Sequence, residues 1–175
     1  MKVEFIFFLF IFCEFTHVLG EFQFTNIKCN SRDEDFVKFE YCFIKSVNRT
    51  YKYMSLGVKL LQTPVTNAKV NYALLKRGNG YKPFLYNMSV DACSYLRRPF
   101  NPVNQYFYGL FKGYTNINHT CPYDHDLIVE KLPMNHLDNE LTTVLPMPKG
   151  DYAFNTIWYA YGTIRADAVF YFTLS

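Results

Sequence analysis

A chain of 175 residues with a formal net charge of +3 has the length of one domain. Beyond the N-terminal segment its only adjacent basic residues are Lys76-Arg77 and Arg97-Arg98. Such pairs belong to ordinary solvated surface, which argues against a nucleic-acid partner. Hydrophobic residues make up 50% and aromatics 19% of the chain, enough for a substantial core.

At the N-terminus, Lys2 precedes an unbroken apolar run from Phe5 to Phe12, and Val18, Leu19 and Gly20 follow an interruption at Glu14, Thr16 and His17. That charged, apolar, cleavable order marks residues 1–20 as a secretory signal peptide. The apolar run is too short for a membrane anchor, which needs roughly 20 such residues. Cleavage is expected after Gly20, leaving a single domain, residues 21–175, that is secreted to the extracellular space without a membrane span. Cys13 leaves with the leader. Cys29, Cys42, Cys93 and Cys121 remain, and an even number in an oxidising compartment implies two disulfides, with three connectivities open. Their spacing does not resemble the closely paired cysteines of a zinc site, and neither metal nor other cofactor is expected. Sequons at Asn48, Asn87 and Asn118 predict glycosylation at positions that face water.

Strands are expected at Phe22 to Cys29 and from Val37 onward, where Val37, Phe39, Tyr41 and Phe43 alternate with Lys38, Glu40 and Cys42. The acids Asp33-Glu34-Asp35 between them read as a solvated turn. Met54, Leu56, Val58 and Leu60 repeat the alternation, as do Val70, Tyr72 and Leu74. Gly78-Asn79-Gly80 can then close a hairpin into a strand from Tyr81 to Tyr86. Next comes a change of period. Asn101 can cap, Pro102 can take the first helical position, and Val103, Tyr106, Phe107, Leu110 and Phe111 recur with helical spacing before Gly113. Residues 102–112 are therefore read as one amphipathic helix. Further strands are expected around Leu127 to Leu132, at Tyr152 to Tyr161 and at Val169 to Leu174. So many short strands, each with one apolar face, predict an all-β fold of two packed antiparallel sheets.

Catalytic chemistry finds little support. His119 lies inside a sequon, and His125 sits between Asp124 and Asp126 in an expected surface loop. A catalytic base needs a nucleophile within reach, which adjacency in sequence does not supply. The chain carries no nucleophile elbow, zincin helix motif or phosphate-binding glycine loop. With the four mature cysteines in disulfides, a thiol nucleophile is also absent. No enzyme activity is expected.

Three blocks carry a resemblance: Asp91-Ala92-Cys93, then Asn116 to Tyr123 with its Thr120-Cys121-Pro122 centre, then Leu145 to Tyr152 with its Lys149-Gly150-Asp151 turn. They resemble a large family of small secreted fly proteins, the family of domain of unknown function 1091, which includes the CheB chemosensory proteins. More remotely, the sequence is similar to the ML lipid-recognition domains and the ganglioside activator protein. The resemblance implies an immunoglobulin-like, ML-like β-sandwich whose sheets spread to hold a lipid tail, without enzyme activity. It also implies pairing of Cys93 with Cys121, and hence of Cys29 with Cys42.

On that basis the expected partner is a hydrophobic small molecule: a lipid, fatty acid or pheromone-like hydrocarbon. Strand parity would put Phe39, Tyr41, Phe43, Val70, Tyr72 and Leu74 on the pocket wall. Phe107, Leu110 and Phe111 would join them from the helix, and Phe170 and Phe172 from the last strand. Each would serve an ordinary filled core equally well. A filled core with an exposed apolar patch would instead suit an extracellular interaction protein that docks a receptor. Residues 98–118 are the expected lid, with Phe107 turned inward and Asn104 on the opposite, solvent-facing side.

Overall fold

The computed structural model describes residues 21–144 and 147–175; the expected leader lies outside the described residues. In chain order the strands are β1 (Phe22–Ser31), β2 (Val37–Ser46), β3 (Lys52–Leu60), β4 (Ala68–Gly78), β5 (Gly80–Asp91), β6 (Leu127–Pro133), β7 (Gly150–Ala160) and β8 (Thr163–Leu174). They form a five-stranded sheet, ordered β1-β8-β7-β4-β5, and a three-stranded sheet, ordered β2-β3-β6. Every pairing is antiparallel. Apolar residues of both sheets meet in a common interior, so the fold is the expected β-sandwich. The hairpin between β4 and β5 closes at Gly78 and Gly80, and Gly80 has φ +84°, a region open to glycine at no steric cost.

Two register slips decide which side chains face inward. One lies between Phe24 and Asn26 on β1, the other between Phe39 and Tyr41 on β2. An extra residue in one strand inverts the facing of everything beyond it. Phe22 and Phe24 pack inward, and past the slip Ile27 does so; Val37 and Phe39 pack inward, and past the slip Ile44 does so. The same inversions turn Cys29 and Cys42 toward each other. Their disulfide, with Cα atoms 6.3 Å apart, ties the edge strand of one sheet to the edge strand of the other.

Tyr41 and Phe43, expected inward by simple alternation, are thereby corrected to the outer face. The Tyr41 ring lies against the backbone of Gly57, where any Cβ would overlap it. Its hydroxyl donates to Glu130. Burial against Gly57 and then the Glu130 carboxylate push the Tyr41 phenol up to about 12. Phe43 is 40% exposed.

Three strands spaced about 4.8 Å apart can face only three of five. With β1 and β2 tied together, β4 and β5 need another cover, and the chain between β5 and β6 supplies it. Helix α1 (Ala92–Arg97) starts at Asp91, whose carboxylate accepts from Ser94 N at 2.7 Å. Helix α2 (Pro102–Gly109) starts as expected, Asn101 Oδ1 accepting from Val103 N and Asn104 N and Pro102 opening the first turn. It ends at Gly109 rather than 112, and a 3-10 turn, Lys112–Tyr114, follows. A third helix, α3 (Met134–Asn139), runs on into a π-turn, Glu140–Val144, and closes one end of the sandwich. The expectation of a single helix is corrected accordingly. Helices α1 and α3 have six residues each, too few for a 3.6-residue period to emerge.

The second disulfide joins Cys93 to Cys121, Cα atoms 5.1 Å apart, and so closes both ends of the covering segment. These are the pairings that the resemblance implied. In the chain-entropy account, a loop of 13 residues contributes about 3 kcal/mol. Replacing Cys29 and Cys42 together by serine should lower stability by about that amount, read as a reduced guanidinium midpoint with a steeper denaturant slope, because the uncross-linked unfolded chain exposes more surface.

Candidate functional site: an apolar cavity between the sheets

The interior divides into two clusters. One, at the α3 end, gathers Phe22, Met54, Leu74, Leu132, Tyr152 and Phe172. The other gathers Phe36, Val37, Val65, Tyr123, Ala160 and Ala166. Between them runs a cavity of about 220 Å³ whose wall draws on both. It follows β8 from Ala166 to Phe172 and β7 from Ala160 to Phe154, a length of about 20 Å at a strand rise of about 3.3 Å per residue. That volume over that length describes a narrow tube.

Side-chain size explains the space. At inward positions near its middle, β8 presents Ala166 and Ala168, while its far half presents Phe170 and Phe172. Ala160 on β7 and Ala68 on β4 add two more short side chains to the wall. Opposite them stand Met54, Leu56, Val58 and Leu60 of β3 and Leu127 and Val129 of β6. The few polar groups on the wall bond within the protein. Thr156 Oγ1 donates to Ala168 O at 3.0 Å and accepts from Trp158 Nε1 at 3.0 Å. Tyr123 donates its hydroxyl to His119 O.

Of the residues expected at a pocket, Phe39, Leu74, Phe107, Leu110, Phe111, Phe170 and Phe172 stand on the cavity wall. Val70 and Tyr72 are buried on β4 but set back from it. The Tyr72 ring packs against Phe107 and Phe154, centroids 5.1 and 5.6 Å away. Its hydroxyl donates to Asn104 Oδ1 at 2.6 Å, and burial pushes the phenol up to about 12. Asn104 is only 6% exposed, which corrects its expected place on the solvent side. The reason is helical: Asn104 and Phe107 are three apart, hence neighbours on one face, and that face lies on β4.

The wall residues that the sequence reading left out were partly within its reach. Met54, Leu56, Val58 and Leu60 alternate without interruption. Ala166 and Ala168 extend inward parity back from Phe170, but a strand taken to begin at Val169 omits them.

A second cluster lies in the loop before β6. His119 and His125 bring their Nε2 atoms to 2.9 Å, and Tyr123 packs on His119 with centroids 4.5 Å apart. Asn116 Oδ1 accepts from Ile128 N, which turns its amide nitrogen toward His125 Nδ1 at 3.1 Å. The same Nδ1 lies 2.9 Å from Asp126 O, and His119 Nδ1–H donates to Thr120 O at 2.7 Å. Among the described residues, no group of three or more His, Cys, Asp or Glu side chains is placed to hold a metal ion.

Two substitutions read the packing. Enlarging a side chain in a filled core costs about 1–3 kcal/mol, whereas Ala168→Leu should leave the melting temperature unchanged or raise it, because the added carbons enter the cavity. Asn104→Ala leaves the buried Tyr72 hydroxyl without its acceptor and should cost about 1–3 kcal/mol, measured by chemical denaturation.

None of the curated proteins matches the chain. The model of a family described as protein of unknown function (DUF1091) matches residues 70–154. That stretch holds β5, the disulfide-closed covering segment, β6 and α3, and the chain belongs to this family.

Proposed function

We propose that this protein is a secreted, non-enzymatic carrier that holds a hydrophobic small molecule between its two sheets. The observation that carries this reading is the apolar tube between two separate core clusters. A sandwich with no ligand to hold gains by closing such a space, since an empty cavity forfeits contacts on every side. Secretion is supported by the two disulfides and by the exposure of Asn48, Asn87 and Asn118. Among the described residues, no helix is long and apolar enough to cross a membrane. The likeness of the cysteine blocks to the CheB and ML groups favours a lipid, fatty acid or pheromone-like hydrocarbon as cargo and a chemosensory setting.

In this reading the lid is residues 98–118. Sheet strands part only by breaking rows of backbone hydrogen bonds, whereas this segment closes the cavity mainly with side chains of α2 and the residues after it, Phe107, Leu110 and Phe111. A receptor-docking role has an observation of its own. Tyr41, Phe43, Tyr53 and Tyr51 follow one another at centroid spacings of 6.0, 6.4 and 6.1 Å on the outer face of β2, β3 and the turn that joins them. A carrier could present such a strip to an extracellular receptor.

Native mass spectrometry of insect-expressed, deglycosylated protein tests the carrier reading directly, with a co-purifying lipophile as the expected result. Phe107→Asp sets a carboxylate against apolar walls, at a cost of several kcal/mol unless it finds a partner, and should abolish uptake of the neutral fluorophore N-phenylnaphthylamine. Gln105→Asp, on the exposed side of α2, should leave uptake intact. Equal uptake by folded Phe107→Asp and wild type would remove α2 from the site.

A further inference from the structure

Arg165 is the only charged residue among the described residues on the cavity wall, and its guanidinium is already engaged. Nη1 donates to the Asp33 carboxylate, Nε donates to Ala160 O at 3.3 Å, and the guanidinium carbon stands 4.0 Å from the Phe36 ring centroid. The Arg165 and Asp33 side chains are 18% and 28% exposed. The turn that the sequence presents as a run of solvated acids therefore sends its first carboxylate to the end of the tube. Asp33 is held there by its backbone: its N–H donates to Arg165 O at 3.2 Å, and its carbonyl accepts from Phe36 N at 3.1 Å and Val37 N at 2.9 Å. Phe36 and Val37 themselves stand on the cavity wall, so one short turn supplies both the apolar end of the tube and the carboxylate that neutralises its cation.

Resting on the carrier reading, we propose that Asp33 sets the head-group selectivity of the cavity: by pairing with Arg165 it withholds the cation that an ionised head would need, so the tube takes long, unbranched chains without charge. An isolated Arg165 would make the site suited to fatty acids, since guanidinium and carboxylate match in charge and geometry. With Asp33 in place, an entering carboxylate meets a neutralised pair and a second carboxylate beside it, and like charges at that range disfavour the ionised form. The remaining wall offers it little compensation: Thr156, Trp158 and Tyr123 spend their donors inside the protein, and the Tyr159 hydroxyl is held by the Asn71 amide at 3.3 Å. An ester, alcohol or hydrocarbon end group carries no such penalty, and the narrow, elongated shape admits a single straight chain.

The test is a displacement series on the mature glycoprotein preloaded with N-phenylnaphthylamine, using palmitate, methyl palmitate and hexadecanol at neutral pH. Methyl palmitate and hexadecanol should compete at least tenfold better than palmitate. Asp33→Asn frees the guanidinium and should raise palmitate affinity at least tenfold while leaving methyl palmitate within about twofold. Asp33→Asn combined with Arg165→Met removes both charges and should restore the preference for neutral chains, which a merely loosened fold would not do. Palmitate competing as well as its methyl ester against the wild type would mean that the carboxylate stays in water, and would overturn the proposal without touching the carrier reading. An unchanged palmitate affinity in Asp33→Asn would reduce the ion pair to a structural contact. Failure of the fluorophore and all three chains to bind would sink the carrier reading and the selectivity with it. The wild-type series is decisive even if the variants do not fold.

Discussion

The constraint on which this structure turns is the mismatch in width between its two sheets. Five strands on one side and three on the other leave the inner faces of β4 and β5 without strands opposite, and an uncovered apolar sheet face is not stable in water. The chain solves this between Cys93 and Cys121. That segment leaves the edge strand β5, lays α1 and α2 over the bare face, and returns to the narrow sheet through a backbone bridge from Thr115 to Val129 of β6; just past it, Tyr123 bridges Val65 in the connection between β3 and β4. The disulfide fixes its two ends close together, so the cover behaves as one closed loop. On the opposite edge, Cys29–Cys42 performs the complementary task of holding the sheets in register.

Given that frame, the cavity follows from the side chains available to fill it. Sheets pack about 10 Å apart when their inward residues interdigitate. Here the large residues are concentrated at the ends: Phe22, Tyr152 and Phe172 stack at one, with Phe22–Phe172 centroids 5.0 Å and Tyr152–Phe172 centroids 5.4 Å apart. Phe36, Val65 and Tyr123 fill the other. Ala160 of β7 and Ala166 of β8 sit among these bulky residues, with Ala168 next along β8. The bulky neighbours keep the sheets apart where the short side chains face each other, so the space is a consequence of where size is placed along the strands rather than of low apolar content.

How much of this could be read from the sequence depends on whether local pattern or long-range partnership decided the outcome. Strand positions, the β4–β5 hairpin and the start of α2 were legible, because alternation, a Gly-Asn-Gly turn and an Asn-Pro cap are local signals. Facing was legible only up to the first bulge. Phe39 and Tyr41 lie on one side of an ideal strand, yet the slip across Glu40 separates them, and that slip is a property of the β2–β3 pairing which neither strand announces alone. Gly57 was the available hint: a glycine inside a strand marks a close approach, and what approaches it is Tyr41. Asp33 was hidden for a related reason. Its neighbours Glu34 and Asp35 are exposed, as a run of acids suggests, and only the return of β8 places Arg165 opposite it.

The covering segment joins two kinds of contact, and the distinction bears on how it could move. At its centre Phe107 meets Tyr72, Tyr86 and Phe154 at centroid distances of 5.1, 5.3 and 5.2 Å, contacts that vary gently with position. At its margins two phenol bonds tie it to the rest of the domain, Tyr72 to Asn104 and Tyr106 to Glu140 O at 3.0 Å, while a third, Tyr108 to Ile117 O at 2.8 Å, braces the segment internally. Burial raises the pKa of each of these phenols, so they remain neutral donors throughout the physiological range. Ring contacts let neighbouring side chains slide with little loss, whereas a buried hydroxyl that loses its acceptor pays a full desolvation penalty. Opening at this edge therefore has to break a small number of discrete bonds while the ring packing yields gradually. The opposite edge offers no such route, because it is joined by a covalent bond.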